Sequence, residues 1–296
     1  MNAMHSSEYL AAAPKAQRVA ATAELGLPSD FEAPMPRIEP GRDTHRPGLS
    51  AVIITLNEAD NIGDCIRSVS FCDEIIVVDA HSSDETRDRA RACGARVIER
   101  DWPGYRSQKE FGVAAAAHDW VLCLDADERI TAQLREELVR LREQGFAGVA
   151  GASMRRRSWY LGAPLRFGTA SPDRLTRLFD RRRGGWRGRE VHEHAYAEGR
   201  VVRLRGRIHH FPYRDYAHQL EKLDTYSTLM ARAMAAEGYR PGWLRMVVNP
   251  LWCFLRGFVI RLGFLDGWRG LVFACTEAGY VGQKYVKLRR EWTGRQ

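Results

Sequence analysis

The chain has 296 residues, enough for one large or two modest domains with a substantial hydrophobic core. Its 45% hydrophobic and 28% charged residues are typical of a globular protein and exclude a disordered chain. The net charge of +8 favours an anionic partner, and it is concentrated in two stretches: residues 151–215 carry 16 arginines against 6 acids, and residues 243–296 carry 9 Lys and Arg against 3 acids.

The N-terminal 48 residues are rich in alanine, proline and charge without a steady period, so we expect a disordered or loosely docked extension. Because this stretch has no sustained apolar segment, no signal peptide is predicted. The six cysteines show neither a C-x-x-C pair nor the spacing of zinc ligands, which indicates reduced thiols in a cytosolic protein.

From residue 49 onward, apolar runs alternate with segments of helical periodicity. The predicted strands cover residues 49–56, 74–79, 96–99 and 120–125. The predicted helices cover residues 61–70, 83–93 and 105–117, and a fourth helix is capped by Thr131 and ends at Gly145. Strands that alternate with helices predict an α/β fold with a parallel sheet and helices on both faces.

The second half alternates less regularly. Strands are predicted at 148–154, 174–180 and 200–209, a glycine-rich turn at 184–188 and a helix at 216–236. Residues 246–265 form an apolar stretch, but Pro250, Arg256 and Arg261 argue against a membrane-spanning helix. Either a helix lying in the membrane interface or a packed core helix fits this stretch.

The segment WVLCLDADER ends a predicted buried strand with Asp125 and Asp127. Alternate residues of a strand share a face, so the two carboxylates can form a seat for a hard divalent cation. A solvated turn that caps the next helix is the alternative. Glu58 and Asp79 follow the first and second predicted strands, and acids at the carboxyl ends of parallel strands would converge on one crevice.

The strings AVIITLNEADNIGDCIRSV, DEIIVVDAHSSDET, WPGY, QKEFG and WVLCLDADE resemble the family 2 glycosyltransferases of GT-A (Rossmann-like) fold. These are inverting enzymes that use nucleotide-sugar donors. RLFDRRRGGWRGREVHEHA, HHFPYRDYAHQLEKLDTYS and RLGFLDGWRGLVFACTEAGYVGQKYVKL resemble the branch that includes the lipopolysaccharide core β-1,4-glucosyltransferases. The resemblance covers residues 48–292 approximately and implies a mostly parallel GT-A sheet with a C-terminal helical, membrane-proximal extension.

The resemblance also implies roles for individual residues. Residues expected to contact the nucleotide sugar are Thr55, Asn57, Glu58, Asp79, Lys109 and Asp125, with Asp79 accepting a hydrogen bond from the base and Asp125 contacting the ribose or a metal-bound water. Asp127 is expected to coordinate Mg²⁺ or Mn²⁺. His210 is either a second metal or diphosphate ligand or a satisfied buried histidine.

Two positions depart from the family pattern. Glu110 replaces the usual Asn after Lys109, which puts that phosphate contact in question, and His81 stands where Gly is common. Lys222 either meets a phosphate or is solvated. An arginine run is expected to face a phosphorylated acceptor, since Arg binds phosphate bidentately, with ordinary solvated arginines the alternative for half of its members: Arg155, Arg156, Arg157, Arg181, Arg182, Arg183, Arg187 and Arg189.

An inverting transferase needs a base for the acceptor hydroxyl. Glu193 is the candidate for this base, and His192 is the second candidate. The alternative is that these residues form a surface turn with charged side chains and no catalytic role. The order of these residues is not H-E-x-x-H, so a zinc-protease site is disfavoured.

The function expected from sequence is transfer of a hexose, with glucose the expected sugar, to a lipid-linked saccharide of the lipopolysaccharide inner core. The enzyme would be cytoplasmic, peripheral to the inner-membrane surface, and without a nucleic-acid partner. The expected domains are a glycosyltransferase domain at 49–240, with a nucleotide-sugar half (49–147) and an acceptor half (148–240), and an amphipathic helical region at 241–296. The alternatives are a polyprenyl-phosphate sugar transferase and a non-catalytic basic protein that binds anionic lipid.

Overall fold

The computed structural model describes residues 46–170, 173–188, 193–240 and 242–293. The extension predicted for residues 1–48 therefore lies outside the described residues as far as residue 45. The chain divides into two compact units. Among the described residues, the first unit contains those from Arg46 to Arg156 together with those of Arg174–His210, and the second contains those of Arg157–Asp173 together with those from Phe211 to Thr293. The functional division into a nucleotide half and an acceptor half stays a prediction.

The first unit begins with regular alternation of strands and helices. These elements are β1 (Leu49–Thr55), α1 (Ile62–Ser68), β2 (Glu74–Asp79), α2 (Thr86–Ala92), β3 (Arg96–Glu99), α3 (Tyr105–Ala115) and β4 (Trp120–Asp125). The four strands are parallel and lie in the order β3-β2-β1-β4. Every residue of β1 is buried, as expected for a central parallel strand covered on both faces.

Helix α3 lies very close to the sheet at Gly112. A Cβ atom at this position would lie 2.4 Å from Cγ1 of Val52 in β1 and 3.1 Å from Cγ2 of Val78 in β2. Because real contacts do not come that close, only glycine permits this spacing between helix and sheet. Val113 and Ala116 pack in the same core cluster as Val52 and Val78.

The remaining strands of the first unit are β5 (Glu128–Ile130), β6 (Gly151–Tyr160), β8 (Asp173–Asp180), β9 (Gly184–Arg187), β10 (His194–Ala197) and β11 (Val201–His210), and helix α4 (Ala132–Glu143) follows β5. Strands β9 and β10 form a separate two-stranded sheet. The end of β6 belongs to the second unit, where it pairs with β7 (Ala163–Pro164). The sheet continues from β4 through β8, β6, β11 and β5.

Two local predictions in this region are wrong. Residues 128–130, expected in a loop, form β5 because they pair antiparallel with β11. The glycine-rich turn predicted at 184–188 is instead β9, which pairs antiparallel with β10. A Cβ atom at Gly184 would lie 2.4 Å from the carbonyl oxygen of Tyr196, so the glycine here permits close strand pairing and not a turn.

The second unit is built around helices: α5 (Tyr216–Ala236), α6 (Trp243–Phe254) and α7 (Gly267–Thr293). A π-helical turn (Leu255–Ile260) and a 3₁₀ helix (Gly263–Asp266) connect α6 to α7. Asp215 caps α5 by accepting a hydrogen bond from the His218 N–H at 2.7 Å. The predicted α/β fold, with parallel strands flanked by helices and a helical C-terminal region, is confirmed.

Candidate active site at the carboxyl edge of the sheet

The strand register brings the predicted acidic loops together. Thr55 in β1 is opposite Asp79 in β2, and Ile54 is opposite Asp125 in β4. The carboxyl ends of three adjacent parallel strands therefore meet at one edge, which is where ligands bind in open α/β sheets.

Asp79 and Asn57 organise the two loops beside this edge. Asp79 is fully buried, and its carboxylate accepts hydrogen bonds from the backbone N–H and the hydroxyl of Ser82. The Asn57 N–H donates to Ser82 Oγ at 2.8 Å, and Asn57 Oδ1 accepts from the Ser83 N–H at 2.8 Å. Both residues thus hold the loop that would border a nucleotide, and direct contact with the base stays a prediction.

The other predicted residues of the β1 loop lie at the same edge. Glu58 Oε2 accepts a hydrogen bond from Asn61 Nδ2 at 2.7 Å. Thr55 is buried, and its hydroxyl has no hydrogen-bond partner among the described residues. Their contacts with a nucleotide stay predictions.

His81 adopts a left-handed backbone conformation with φ of 59°. This region favours glycine, which explains why Gly is common at this position in the family pattern, and a side chain here is strained. His81 Nε2 lies 3.0 Å from Asp101 Oδ1 on the loop surface.

A buried cluster of opposite charges lies behind the strand ends. The Asp125 carboxylate lies 3.0 Å from Lys109 Nζ and 2.9 Å from the Arg177 guanidinium. Burial alone would raise the pKa of Asp125, but the attraction of the two cations is stronger and holds that pKa well below its usual range. Asp125 is therefore ionised and ion-paired, and its ribose or metal contact stays a prediction.

Lys109 links Asp125 to the candidate base. It is only 3% exposed, and its ammonium lies 2.8 Å from Glu193 Oε1 and 4.7 Å from the centre of the Trp186 ring. Glu193 immediately precedes β10, and its side chain is 12% exposed. Two carboxylates that are 68 positions apart in the chain thus share one lysine, while His192 lies outside the described residues.

Arg177 is the principal site residue that the sequence interpretation missed. Antiparallel pairing of β8 with β4 places it beside Asp125, where it also donates to Glu128 Oε1 at 2.7 Å. Burial lowers its pKa, but Glu128 and Asp125 together raise that pKa above the usual value, so the guanidinium stays charged. An arginine inside a predicted strand, between Thr176 and Leu178, was the available signal. Trp186 was missed because β9 was predicted to be a turn.

Asp127 and His210 form the pair best suited to a metal. The antiparallel register of β5 and β11 places His210 opposite Glu128, and His210 Nε2 lies 3.4 Å from Asp127 Oδ2. Among the residues that the structure describes, no group of three or more His, Cys, Asp or Glu can hold a metal ion alone. The pair fits a cation that takes its other ligands from water and phosphate oxygens, as Mg²⁺ commonly does.

Several arginines of the expected acceptor wall have structural partners. Arg181 donates to the carbonyl oxygens of Val113 and Ala116, and Arg182 pairs with Asp180. In the second unit, Lys222 donates to the Pro212 carbonyl oxygen at 2.9 Å, and its contact with a phosphate stays a prediction. All six cysteines are free thiols in the structure.

Comparison with known proteins gives a consistent result. The model of the family described as Glycosyl transferase family 2 matches residues 50–193. The chain is 31% identical to the lipopolysaccharide core biosynthesis glycosyltransferase LpsC of Rhizobium meliloti (strain 1021), over 82% of this chain and 94% of that protein. It is also 29% identical to an uncharacterized glycosyltransferase of Rickettsia prowazekii (strain Madrid E), over 81% of this chain and 86% of that protein.

Part of the chain is similar to a solved structure. This is glucosyl-3-phosphoglycerate synthase from Mycobacterium tuberculosis in complex with Mn²⁺, uridine diphosphate and glucosyl-3-phosphoglycerate, with 28% identity over 38% of this chain and 44% of that chain, and a TM-score of 0.33.

Proposed function

The chain belongs to glycosyltransferase family 2 and is a glycosyltransferase, and we propose that it transfers a hexose, expected to be glucose, from a nucleotide-diphosphate sugar to a lipid-linked saccharide of the lipopolysaccharide inner core. The observation that carries this proposal is the Glu193–Lys109–Asp125 chain of contacts, 2.8 Å and 3.0 Å long. It supplies a candidate base next to the strand ends where a donor would bind.

In the proposed reaction Glu193 takes the proton of the acceptor hydroxyl as that oxygen attacks the anomeric carbon. The new oxygen–carbon bond forms on the face opposite the bond to the diphosphate, which breaks and leaves its electron pair on the nucleoside diphosphate. The configuration at the anomeric carbon is therefore inverted. Lys109 would orient Glu193, because its ammonium donates directly to Glu193 Oε1.

Asp127 and His210 would hold a Mg²⁺ or Mn²⁺ ion in this scheme, because their oxygen and nitrogen atoms already lie 3.4 Å apart. Such an ion, when bound, neutralises negative charge that develops on a departing diphosphate. Arg177 stays charged and pairs with Asp125. This ion pair would hold the Asp125 carboxylate in place when a cation binds between Asp127 and His210.

Two features support a lipopolysaccharide acceptor over the alternatives. The similarity to LpsC covers 82% of this chain and 94% of that protein. The basic stretch at residues 151–215 suits an acceptor that carries phosphate groups. A polyprenyl-phosphate acceptor would present a phosphate oxygen as nucleophile and would need no strong base, which leaves the buried position of Glu193 without a purpose. Membership of a family of enzymes argues against the other alternative, a non-catalytic basic protein that binds anionic lipid.

The proposal is tested by thermal unfolding of the full chain with UDP-, GDP- and ADP-sugars in Mg²⁺ or Mn²⁺. One donor is expected to stabilise the wild type by about 2.7 kcal/mol at one hundred times its Kd. Asp127→Asn should lose the metal-dependent part, whereas Asp88→Asn, which changes an exposed acid on α2, should not. The stabilising donor is then offered with inner-core lipopolysaccharide or polyprenyl phosphate, and transfer only to the phosphate would contradict the proposed acceptor.

A further inference from the structure

Helix α6 and the turns that follow it expose an apolar surface to solvent. Seven large apolar side chains of α6 and these turns are more than half exposed: Trp243, Leu244, Val247, Leu251, Trp252, Ile260 and Leu265. The segment Trp243–Ile260 is long and apolar enough to cross a membrane by length and composition, and only 6% of it is buried. This exposure contradicts the core-helix alternative. We propose that this surface, the α6 surface, inserts into one leaflet of a bilayer with anionic headgroups while α6 lies in the membrane plane.

The opposite face of α6 is already packed on α7, which leaves the exposed face for another partner. Asn249 Nδ2 donates to the Tyr285 hydroxyl at 2.7 Å, and Met246 packs against a buried cluster that contains Tyr285 and Leu288. A helix normally turns its apolar side to the core and its polar side to water. In α6 both sides are apolar, and an exposed apolar patch of this kind marks an interaction surface.

The attachment to α7 favours an in-plane position over a membrane-spanning one. Tyr285, which contacts the middle of the apolar segment, lies between Lys284 and Lys287 on α7. Lys287 in turn binds Asp224 on α5, with Nζ 2.6 Å from Oδ1. If α6 crossed the hydrocarbon core, these charged groups would enter it as well, which is unfavourable. A helix in the interface keeps α5 and α7 on the aqueous side.

The charge next to the α6 surface complements anionic lipid. Residues 243–271 contain four arginines and one acid, Asp266. The Asp266 carboxylate accepts hydrogen bonds from the backbone N–H groups of Arg166 and Phe167, at 3.0 Å and 2.9 Å. Arg256 and Arg261 are exposed, and arginine stems lie along apolar surface while their guanidinium groups reach the headgroups.

The tryptophans on this surface also favour lipid over a second copy of the chain. Trp243 and Trp252 have the amphipathic ring that is enriched at the membrane–water interface. In a two-fold symmetric dimer the same patch meets itself, so Arg256 and Arg261 would approach the arginines of the other copy. A bilayer of anionic lipid avoids that repulsion.

Flotation of the full chain with vesicles tests the proposal, and it needs neither donor nor acceptor, so its outcome is independent of the proposed function. The protein should float with phosphatidylcholine vesicles that contain phosphatidylglycerol, and at least tenfold less with phosphatidylcholine alone. The double variant Val247→Glu/Leu251→Glu should lose at least tenfold of the binding. Leu229→Glu, which changes an exposed apolar residue on α5, is the matched control and should bind like wild type.

Two further measurements complete the test. Arg256→Gln/Arg261→Gln should weaken binding to the anionic vesicles about tenfold or more while the unfolding temperature stays unchanged. Protein bound to native membranes should be released by an alkaline carbonate wash, and retention would overturn the in-plane position. A dimer in light scattering that Val247→Glu/Leu251→Glu converts to a monomer, together with no vesicle binding by wild type, would overturn the lipid partner.

Discussion

The two units of the molecule invert the usual pattern of burial in opposite directions. In the first unit Lys109, Arg177 and Glu128 are at most 3% exposed and meet beneath the carboxyl edge of the sheet. In the second unit Trp243 is 73% exposed and belongs to an apolar surface that runs along α6. Charged groups are thus hidden in one unit and apolar groups are displayed in the other.

The contrast shows where function is to be sought in such a chain. Buried charges are retained only when they are paired, and a large exposed apolar patch calls for a partner. Ordinary exposed arginines and buried leucines carry little information by comparison. The composition totals conceal both features, because they count each charged or apolar residue in the same way whether it is buried or exposed.

The largest expected effect is at Glu193, the acid of the buried cluster that is assigned to chemistry. Glu193→Gln keeps the shape of the side chain but removes its ability to accept the acceptor proton. We expect kcat to fall 10²–10⁴-fold, measured as sugar transfer at saturating donor. Glu198→Gln, at an exposed position that follows β10, is the control. Turnover within a few-fold of wild type in Glu193→Gln would remove the base assignment.

The next effect concerns the stability of the buried cluster. Arg177→Met removes one cation and leaves Asp125 and Glu128 without that partner. We expect the free energy of unfolding to fall by about 3–5 kcal/mol, measured by urea denaturation at pH 7. Arg140→Met, which changes an exposed arginine on α4 whose partner Glu136 is also exposed, should leave the unfolding midpoint nearly unchanged. Equal midpoints for the two variants would show that the cluster contributes nothing to folding.

A smaller effect distinguishes two glutamines that are both fully buried. In the second unit Gln219 accepts from the Tyr160 hydroxyl and donates to Thr276 Oγ1. In the first unit neither amide atom of Gln108 has a partner among the described residues. Gln219→Leu should therefore lower the free energy of unfolding by about 1–3 kcal/mol, whereas Gln108→Leu should raise it by about 1 kcal/mol.

The same pair of variants separates stability from donor binding. Because an unsatisfied buried amide is tolerated mainly at functional positions, Gln108→Leu should also weaken donor binding about tenfold, measured by calorimetry. Gln219→Leu should leave the donor affinity unchanged. A more stable Gln108→Leu variant with normal donor affinity would limit this glutamine to a packing role.

The smallest effect is the pH dependence conferred by Glu277 on α7. Burial raises the pKa of this carboxyl, although nearby Arg256 lowers it in part. The folded protein therefore binds a proton that the unfolded chain releases at lower pH, so stability should fall as pH rises from the ordinary Glu value through the raised pKa. Glu277→Gln should flatten this slope in chemical denaturation at successive pH values, and Glu291→Gln on the same helix should not.

Much of the fold follows from periodicity in the sequence. The limits of β2, β3, β4 and α5 agree with those predicted, because β2, β4 and α5 are apolar or periodic runs and β3 follows a helix that Gly94 ends. The short strand β5 was missed because only its pairing with β11, 78 to 82 positions away, defines it. Local pattern carries no information about such a distant partner.

The site was predictable to a similar degree. The acids at the strand ends were found because they follow recognisable strands. The role of Arg177 depends on the antiparallel register of β8 against β4, which the sequence does not specify. Likewise, the apolar pattern of α6 was visible, but which of its faces α7 covers is decided by the tertiary structure.

The close contact at Gly112 gives this glycine an influence on a reaction in which it takes no part. Lys109 lies three positions earlier on the same helix, so the distance from its ammonium to Asp125 is set by how near α3 rests on β1 and β2. Any side chain at position 112 would lift the helix and draw the lysine away from both carboxylates. In a genetic screen, substitutions at this glycine would be scored with the lesions of the active site, although they would arise in the hydrophobic core.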